Sequence, residues 1–523
     1  MSHADPLQAA RERVLALRAS LQREGSGTVR LVETHISWVL LTDRLAYKMK
    51  KPVHLPFLDF ESLAARRHFC AEELRLNRRL SPWLYIGLAD ICEGSQGPRL
   101  GGPGNVVDVA VAMRRFPDGA LWSERLAAGR LAPTDIDGFA ESLAAFHRDA
   151  QTAPADSEFG SRSVHDRVAG RLLEGLPGVA ARAGDEGQGA ELAAWLKAEA
   201  VRLAAHRERR RQGGWVRECH GDLHLANIVQ IGAVASAFDC VEFDPDLRWI
   251  DVIEDAAFLM MDLLACGASG LAYRFINAWL EATGDYESLR ALRYHLVCRA
   301  LVRAEVMAVR AEQGNATASA SVVGAYYRLA GDIARGADPR LAITRGLPGS
   351  GKSFLAAALC ESAGAIRIRS DVERKRLFGL AARQSSRHQG LDIYDEAATR
   401  RTYARLRAAA AQALAGGWPT VVDAAFLRRS ERAEFDVLAN TMELPFAIFD
   451  CRAPLDVLRD RLVRRGEIGG DASEADLVVL ERLIGSDEPL VAEERARAVV
   501  VEAGDVHSVA RTGARWLEQR RPP

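Results

Sequence analysis

The order of apolar and polar residues predicts different successions of helices and strands in the two parts of the chain. Near the start, apolar residues recur at helical spacing, which predicts an amphipathic helix through Leu7, Ala10, Val14, Leu17 and Leu21. From Val29 the period shortens, and VRLVETHISWVLLTDRLAYKMKKPV predicts a strand pair. The following stretches, FESLAARRHFCAEELRLNRRL and NVVDVAVAMRRF, predict a helix and a further strand.

Helices are predicted through most of the middle of the chain. Residues 120–211 are rich in Ala, Leu and Arg, and the loops there are expected at QTAPADSEFGS and RAGDEGQGA. After HGDLHLANIV, helices continue to about Leu329. The most apolar stretch, AAFLMMDLLACGASGLA, contains Asp262 and is short for a membrane span, so it predicts a buried helix.

A change of pattern near residue 335 predicts a domain boundary. GDIARGADPR mixes Gly, Pro and charge, and we therefore expect one domain over residues 1–335 and another over 336–523. Beyond the boundary, LAITRG, KSFLAAALCESA, TVVDAAF and PFAIFDC alternate between strand and helix patterns. This alternation predicts a parallel sheet with helices on both faces.

Composition narrows the class of protein and of partner. With 48% hydrophobic and 27% charged residues, the chain of 523 residues is expected to fold throughout. Its net charge of −1 makes nucleic acid an unlikely partner and gives no reason to expect an acidic membrane surface. The eight cysteines contain no C-x-x-C pair, and the N-terminus lacks an apolar leader, which predicts a cytoplasmic protein with reduced thiols. Cys219, His224 and Cys240 lie near one another in sequence but lack zinc-finger spacing, so a zinc site is not expected there.

The stretch GLPGSGKS matches the phosphate-binding loop G-x-x-x-x-G-K-S, with an apolar strand before it and a helix after it. Glycines let backbone N–H groups turn toward a phosphate, Lys352 supplies a positive charge, and the Ser353 hydroxyl is suited to Mg²⁺. The alternative is a glycine-rich turn that matches by chance. The predicted nucleotide-binding residues are Gly346, Gly349, Ser350, Gly351, Lys352 and Ser353.

Acidic and basic residues elsewhere in this domain complete a candidate site. Asp423 ends the strand TVVD and is a candidate metal ligand. Asp371 is a candidate general base, with Arg374 one turn along to hold the acceptor or its phosphate; alternatively, Asp371 caps a helix. Arg459, Arg461, Arg464 and Arg465 form either a solvated face or a lid over the transferring phosphate.

From about Leu341 onward, GLPGSGKS, SDVERKRL, IYDEAATRRTYARL and VVDAAF resemble the predicted-kinase group of P-loop proteins. This group of AAA-type ATPase domains is similar to polynucleotide 5′-hydroxyl kinases and to small-molecule kinases of the gluconate and chloramphenicol types. The resemblance implies that Asp371 activates a hydroxyl acceptor and that Arg374 holds it.

HGDLHLAN, residues 220–227, offers a second set of phosphoryl-transfer residues. Asp222 precedes Asn227 by five positions, and IVQIG and VASAF predict a hairpin that delivers Asp239. A base and two oxygen ligands in this order suit transfer from Mg-ATP. Two alternatives are a helical metal pair formed by His220 and His224, and acidic residues that only cap loops.

Upstream residues favour the first interpretation. AYKMK places Lys48 and Lys50 on one face of a strand, and the next helix carries Glu72 and Glu73. A strand lysine held by a helix glutamate orients the ATP phosphates in the protein-kinase-like fold.

HGDLHLANIV, FDCVEFDP and DVIEDAAFLMMDL resemble the aminoglycoside phosphotransferase group, with its choline-kinase-like and fructosamine-kinase-like relatives, over about Val29 to Leu329. The resemblance implies that Asp222 is the catalytic base and that Asn227 and Asp239 bind magnesium. It favours Lys48 over Lys50 as the ATP lysine and Glu73 over Glu72 as its partner, and it places Arg114–Phe116 near the adenine hinge. The expected glycine-rich loop is missing, and Thr34, His35 and Ser37 stand there instead.

The sequence therefore predicts mixed α/β and α+β architecture: an N-terminal two-lobe protein-kinase-like fold and a C-terminal three-layer α/β/α P-loop domain with a parallel sheet. The expected activity is transfer of the γ-phosphate of ATP, with Mg²⁺, to a hydroxyl of a small molecule, in both domains. One alternative is an ATP-hydrolysing sensor with a non-catalytic N-terminal domain, and another is a polynucleotide-end kinase. The acceptors, the coupling between domains and the oligomeric state stay open.

Overall fold

The structure is a computed structural model that describes residues 6–55, 58–95, 97–312, 320–386, 390–391, 393–468, 472–502, 513 and 516–518. The chain forms two compact units. Unit 1 comprises Met1–Phe139, Phe146–Val164 and Glu208–Asp255, and unit 2 comprises Ala140–Ala145, His165–Arg207 and Ala256–Pro523. Helices between residues 256 and 335 thus group with the C-terminal part. A functional division at residue 335 stays a prediction.

The N-terminal part begins with a helix and continues as a strand-rich region. Its elements are α1 (Pro6–Arg23), β1 (Arg30–Glu33), β2 (Ser37–Leu41), β3 (Leu45–Lys50), β4 (His54–Leu55), β5 (Leu58–Asp59), α2 (Leu63–Asn77), β6 (Tyr85–Cys92), β7 (Arg99–Leu100) and β8 (Val106–Arg114).

The predicted strand pair after Val29 is wrong, because this stretch forms three strands. A second turn forms at Thr42, whose hydroxyl donates to the carbonyl of Leu45 (3.0 Å) and accepts from its N–H (3.0 Å). Strand β6, which the apolar pattern did not predict, pairs with β8. The resulting antiparallel sheet has the order β1-β2-β3-β8-β6-β7.

The helices α1 and α2 cover opposite faces of this sheet. Because side chains alternate along a strand, Trp38 and Leu40 face the α1 side, where they join Val14 and Leu17 in an apolar core. The other face packs Ala46 and Val111, among others, against Cys70 of α2. Lys48 and Lys50 alternate with Met49, whose side chain lies on the α1 side, so both lysines face α2.

The middle of the chain is mainly helical, as predicted. The predicted loop RAGDEGQGA is shorter than expected because the Asp185 side chain caps a helix that begins at Glu186, accepting from the Gln188 N–H (3.0 Å). The elements here are α3 (Trp122–Ala127), α4 (Pro133–Asp149), α5 (Arg162–Ala183), α6 (Glu186–Arg202), α7 (Ala204–Gln212), β9 (Val216–Glu218), β10 (Ile228–Ile231), β11 (Val234–Ala237), β12 (Trp249–Asp251), α8 (Val252–Ala265), α9 (Ser269–Thr283), α10 (Leu289–Glu312) and α11 (Ala320–Arg335). The predicted helices up to Leu329 include residues 313–319, which lie outside the described part.

The apolar stretch that was expected to form one buried helix is confirmed as a helix only in its first part, within α8. The helix ends at Ala265, a turn at Gly267 follows, and the last residues of the stretch belong to α9. Asp262 is buried and accepts a hydrogen bond from the hydroxyl of Tyr326 (2.7 Å). In the described ranges, no helix combines the length and the apolar character needed to cross a bilayer. All eight cysteines lie in these ranges as free thiols, as predicted.

Unit 2 contains the predicted strand–helix alternation after residue 340. Its elements are β13 (Leu341–Arg345), α12 (Lys352–Ala363), β14 (Ile366–Arg369), α13 (Ser370–Leu377), α14 (Glu396–Ala415), β15 (Thr420–Asp423), α15 (Arg429–Thr441), β16 (Phe446–Arg452), α16 (Leu455–Ile468), α17 (Leu477–Ile484), α18 (Ala492–Ala496) and β17 (Ala498–Glu502).

The strands of this region form a fully parallel sheet of order β14-β15-β13-β16-β17. Helix α12 packs on one face, where Leu355 and Leu359 meet Val421 and Phe449. Helices α14 and α15 contact strands of the same sheet, and the residues of the second face, such as Val422, are also buried. The predicted three-layer architecture is confirmed.

Candidate active sites

The stretch GLPGSGKS connects strand β13 to helix α12, as the motif requires. Gly346 has φ of 142°, and a Cβ there would lie 2.4 Å from the Cys451 carbonyl oxygen. Any residue but glycine would therefore displace the start of the loop. Gly349 and Gly351 also have positive φ, of 84° and 93°. The loop thus has the backbone freedom that a phosphate cradle needs.

Three hydrogen bonds tie the end of strand β13 and the first residue of the loop to the residues that follow strand β15. The Thr344 hydroxyl donates to the Ala424 carbonyl (2.8 Å) and accepts from the Ala424 N–H (3.1 Å). The Gly346 N–H donates to the Ala425 carbonyl (3.0 Å). Asp423, the last residue of β15, is held beside the loop in consequence.

Lys352, Ser353 and Asp423 form the center of the site. The Lys352 ammonium donates to the Leu347 carbonyl (2.9 Å), and the Ser353 hydroxyl donates to Asp423 Oδ1 (3.3 Å). Burial lowers the pKa of Lys352, and the charge of Asp423 opposes this effect. Asp423 Oδ2 is buried without a hydrogen-bond partner among the described residues. A hydroxyl beside a carboxylate with an unused oxygen fits a small divalent cation.

A cleft of about 830 Å³ joins the predicted donor and acceptor residues. Its lining includes Gly349–Ser353, Asp423, Asp371 and Arg374. Gly346, the first residue of the loop, is not among the residues that line the cleft. The structure thus brings the predicted phosphate-binding, metal-binding and acceptor residues other than Gly346 to one cavity.

Asp371 lies in the first turn of α13, but it is not the capping residue. The N-cap position belongs to Arg369, whose side chain makes no capping bond. Arg374 is buried and donates to the Ile393 carbonyl (2.8 Å) and the Thr399 hydroxyl (3.2 Å). Its Nε is buried and has no partner in the described ranges. Arg374 therefore anchors the segment before α14 and keeps one donor unused.

The four candidate lid arginines separate into two groups. Arg461 and Arg465 line the cleft, and Arg461 donates to the Gly349 carbonyl (3.0 Å). Arg464 is exposed, and Arg459 forms an exposed ion pair with Glu481 (2.8 Å). The lid interpretation therefore fits Arg461 and Arg465, whereas the solvated-face interpretation fits the other two. Sequence reasoning missed Arg369 and Glu431, which also line the cleft.

In unit 1, the segment HGDLHLAN is an extended loop that ends in a short 3-10 turn at Leu225–Asn227. His220 and His224 lie in this loop, so the alternative of a metal pair on a helix is wrong. The Asn227 amide donates to the Asp222 carbonyl (3.0 Å) and to Asp222 Oδ2 (3.1 Å). Asp222 and Asn227 are thus adjacent.

The predicted hairpin, β10–β11, follows this loop and delivers Asp239 beside it. The Phe238 N–H donates to the Asn227 carbonyl (2.9 Å), and the Val241 N–H donates to the His220 carbonyl (3.1 Å). Asp239 has φ of 65°, a conformation that non-glycine residues seldom adopt and that often marks functional sites.

Lys48 of strand β3 contacts two carboxylates, Glu73 of helix α2 and Asp239 after the hairpin. Its ammonium lies 2.9 Å from Glu73 Oε1 and also contacts Asp239. Lys50 is fully buried and contacts Glu73 Oε2 (2.8 Å) and Glu242. Burial raises the pKa of Glu73, but the two lysine charges outweigh it and lower that pKa to about 2. Glu72 instead pairs with Arg75 (2.9 Å).

Sequence reasoning missed Asp255, which holds the start of the HGDLHLAN loop. Its carboxylate accepts from the N–H groups of His220 (3.0 Å) and Gly221 (2.9 Å) and from His147 Nε2 (3.1 Å). Burial raises the pKa of Asp255, but these partners lower it to about 2. An acid in the apolar run DVIEDAAF was the available signal, since a buried carboxylate needs partners.

The remaining predicted features of unit 1 lie at the ends of strands. Thr34 closes the β1–β2 turn on itself: its hydroxyl donates to the Ser37 carbonyl (3.1 Å) and accepts from the Ser37 N–H (3.0 Å). His35 is exposed in this turn. At the end of β8, the Phe116 ring lies 5.6 Å from that of Phe238, next to Asp239.

The sheet, the lysine–glutamate pair and the loop–hairpin order give unit 1 the arrangement of a protein-kinase-like fold, as predicted. The family described as an AAA domain matches residues 341–490, as expected for the P-loop region. The domain match and the geometry of both sites support a phosphotransferase of the kinase type.

Solved structures with similarity to the chain include kinases over each part. The choline kinase of Cryptosporidium parvum Iowa II is 12% identical, covers 62% of this chain and 94% of its own, and has a TM-score of 0.36. A gluconokinase from Sinorhizobium meliloti 1021 is 24% identical and covers 34% of this chain and 91% of its own, with a TM-score of 0.24. Because both scores are below 0.5, the fold assignment depends on the geometry above.

Among curated proteins, the uncharacterized protein Rv2004c of Mycobacterium tuberculosis (strain ATCC 25618 / H37Rv) is 31% identical over 455 residues. The alignment covers 84% of this chain and 87% of the relative. The uncharacterized protein Mb2027c of Mycobacterium bovis (strain ATCC BAA-935 / AF2122/97) matches to the same extent. The chain belongs to the family of these mycobacterial proteins.

Proposed function

We propose that the chain is a bifunctional ATP-dependent phosphotransferase, in which each of two sites transfers a γ-phosphate to a hydroxyl of a small molecule. The observation that carries the proposal is the single cleft that contains the loop Gly349–Ser353 together with Asp371 and Arg374. A nucleotide-binding loop alone would suit hydrolysis, whereas a base and a cation across the same cavity suit an acceptor.

In this cleft, loop amides and Lys352 bind the triphosphate. Asp371 takes the proton of the acceptor hydroxyl while the hydroxyl oxygen bonds to the γ-phosphorus. The bond from that phosphorus to the β,γ-bridging oxygen breaks, which releases ADP. The unused Nε of Arg374 and the guanidinium groups of Arg461 and Arg465 supply positive charge to the cleft. This cluster favours an acceptor or transition state rich in negative charge.

Support for a second activity comes from unit 1. Lys48, held by Glu73, is suited to the ATP phosphates, and Asp222 is suited to act as the base. Arg114–Phe116 would lie near adenine, since Phe116 packs beside the segment that carries Asp239. Both sites would use ATP as the phosphate donor, and they would differ in the acceptor.

The oxygen ligands at both sites suit Mg²⁺. Ser353 and Asp423 would hold the ion in unit 2, and Asn227 and Asp239 would hold it in unit 1. The chemistry supplied by bound Mg²⁺ is neutralisation of triphosphate charge. The protein's own part is to present these oxygens while Lys352 and Lys48 face the phosphates.

One observation favours the alternative that unit 1 is a nucleotide-binding sensor. The Thr34 hydroxyl and the Ser37 N–H bond to each other within the β1–β2 turn, so these groups are not offered to a phosphate. With fewer contacts to the ATP phosphates, unit 1 would bind the nucleotide without transferring its γ-phosphate. A polynucleotide acceptor is disfavoured by the net charge of −1.

The experiment incubates the full-length protein with a metabolite extract and ATP and follows species that gain a phosphate by mass spectrometry. Lys352→Ala and Asp222→Ala are compared, with the exposed residues Lys197 and Asp156 as sites of matched control substitutions. If both sites are kinases, each variant is expected to lose a different phosphorylated product. A sensor predicts that only Lys352→Ala loses turnover and that Asp222→Ala behaves like Asp156→Ala. Stimulation of turnover by 5′-hydroxyl oligonucleotides would favour the polynucleotide alternative.

A further inference from the structure

Helix α9 covers the edge of the sheet that carries the P-loop. Among the described residues, β14 is the outermost strand of this sheet, and no strand pairs with its outer edge. The Asn277 side chain takes the place of one: its amide donates to the Ala365 carbonyl (2.9 Å), and its oxygen accepts from the Arg367 N–H (2.7 Å). A helix that precedes residue 335 in sequence is therefore built into this sheet.

One turn further along α9, Glu281 holds two arginines of β14. Its Oε1 accepts from Arg367 Nη2 (2.6 Å), and its Oε2 accepts from Arg369 Nη1 (3.3 Å). The arginines are two residues apart and so lie on the same side of the strand. Burial raises the pKa of Glu281, but the two guanidinium charges outweigh it and lower that pKa. Glu281 is thus a fixed anion between two cations.

Both arginines also reach the proposed metal ligands. Arg369 lines the cleft, and its Nε lies 4.0 Å from Asp423 Oδ2, the oxygen that lacks a hydrogen-bond partner in the described ranges. Arg367 Nη1 donates to the Ser353 carbonyl (3.4 Å). Glu281 therefore acts on Asp423 and Ser353 through one guanidinium each.

The distances around Arg369 define a competition between two carboxylates. Without Glu281, the charge of Asp423 would draw the Arg369 guanidinium inward from the limit of ion-pair distance, toward a direct pair with Asp423 Oδ2. A cation would then have to displace a charged partner. Glu281 draws the same guanidinium in the opposite direction, toward α9.

We infer that Glu281 is a positioning residue of the P-loop site, which holds Arg369 back from Asp423 and keeps that carboxylate available to a divalent cation. The inference rests on the proposed Mg-nucleotide binding at this site. It assigns a role in the P-loop site to a helix that the sequence pattern places in the N-terminal domain.

The test measures binding of a fluorescent ATP analogue to the full chain, with Lys48→Ala as the common background to weaken the unit 1 site. Binding is titrated with Mg²⁺ and measured again in EDTA. We expect Glu281→Gln to raise the Mg²⁺ concentration for half-maximal binding about five-fold, while metal-free affinity changes by less than about two-fold. Glu361→Gln is the matched control, because Glu361 of α12 pairs with Arg274 of α9 (2.7 Å) and does not line the cleft.

A second variant makes the inference independent of how well Glu281→Gln folds. Arg369→Gln removes the competitor and is expected to lower the Mg²⁺ requirement. In this variant Glu281→Gln should have a much smaller effect, because only the contact of Arg367 with the Ser353 carbonyl is left for Glu281 to influence. Equal Mg²⁺ requirements in Glu281→Gln and Glu361→Gln, or a rise caused by Arg369→Gln, would overturn the inference alone. Absence of Mg²⁺-dependent binding in the background protein would overturn the proposed P-loop function as well.

Discussion

Lys48 of strand β3 and Glu73 of helix α2 form an ion pair of 2.9 Å in which the glutamate side chain is completely buried. The same carboxylate also holds Lys50, so Glu73 is the anion that the two lysines share, while Asp239 contacts Lys48 and Glu242 contacts Lys50. Removing the charge of Glu73 would leave the two buried ammonium groups with less negative charge around them. The pair is therefore both a structural requirement of unit 1 and a means of aiming Lys48.

Glu73→Gln tests this pair directly. Breaking a buried pair typically costs 3–5 kcal/mol, and we expect about 3 kcal/mol here because Asp239 and Glu242 still compensate the lysines. The thermal unfolding temperature of unit 1 and its affinity for nucleotide should both decrease. Glu72→Gln is the matched control, since the Glu72 side chain is partly exposed and pairs with Arg75 and Arg248. Equal effects of the two variants would contradict the assignment of Glu73.

The pH dependence of the free energy of unfolding also tests the ion pairs of Glu73. The pKa of Glu73 is about 2 in the folded protein, below the value of about 4.3 expected in an unfolded chain. A lowered pKa contributes stability that is complete above the unfolded value and is lost as pH falls toward the folded value. We therefore expect stability to decrease between about pH 4.3 and pH 2. The decrease should be smaller in Glu73→Gln than in Glu72→Gln, as measured by denaturant unfolding at each pH.

Asp255→Asn should impair unit 1 through the backbone of the HGDLHLAN loop. The carboxylate accepts two backbone N–H groups and His147, whereas an amide offers one oxygen and turns an NH₂ group toward a donor. Hydrogen bonds to a charged group are worth about 1.5–3 kcal/mol, so we expect a loss of this order in unfolding measurements. Turnover that depends on Asp222 should also fall. Asp156→Asn is the control at an exposed position, and a result equal to this control would exclude the role of Asp255.

Several features of the N-terminal site followed from the sequence. Asp222, Asn227 and Asp239 were predicted from their order around a hairpin, and the hydrogen bonds from Phe238 and Val241 bring the three together. The choice between Lys48 and Lys50 could not be made from a strand pattern, because alternation places both on the same face. Both lysines contact Glu73, but only Lys48 also reaches Asp239.

What the sequence did not predict depends on contacts between distant segments. Asp255 acts on backbone amides, which no motif of side chains records. Glu281 reaches Arg369 only because α9 lies along an edge strand, and this packing cannot be derived from the periodicity of either element. The third strand after Val29 was missed because Thr42, rather than a Gly or Pro, forms the turn.

The central claim is that one chain contains two independent Mg-nucleotide sites. Isothermal titration of the full-length protein with a non-hydrolysable ATP analogue in Mg²⁺ measures the number of sites directly. We predict two sites per chain, with one retained in Lys48→Ala, one retained in Lys352→Ala, and none in the double variant, while Lys197→Ala retains both. A single site in the unmodified protein, abolished by Lys352→Ala and unaffected by Lys48→Ala, would contradict the account.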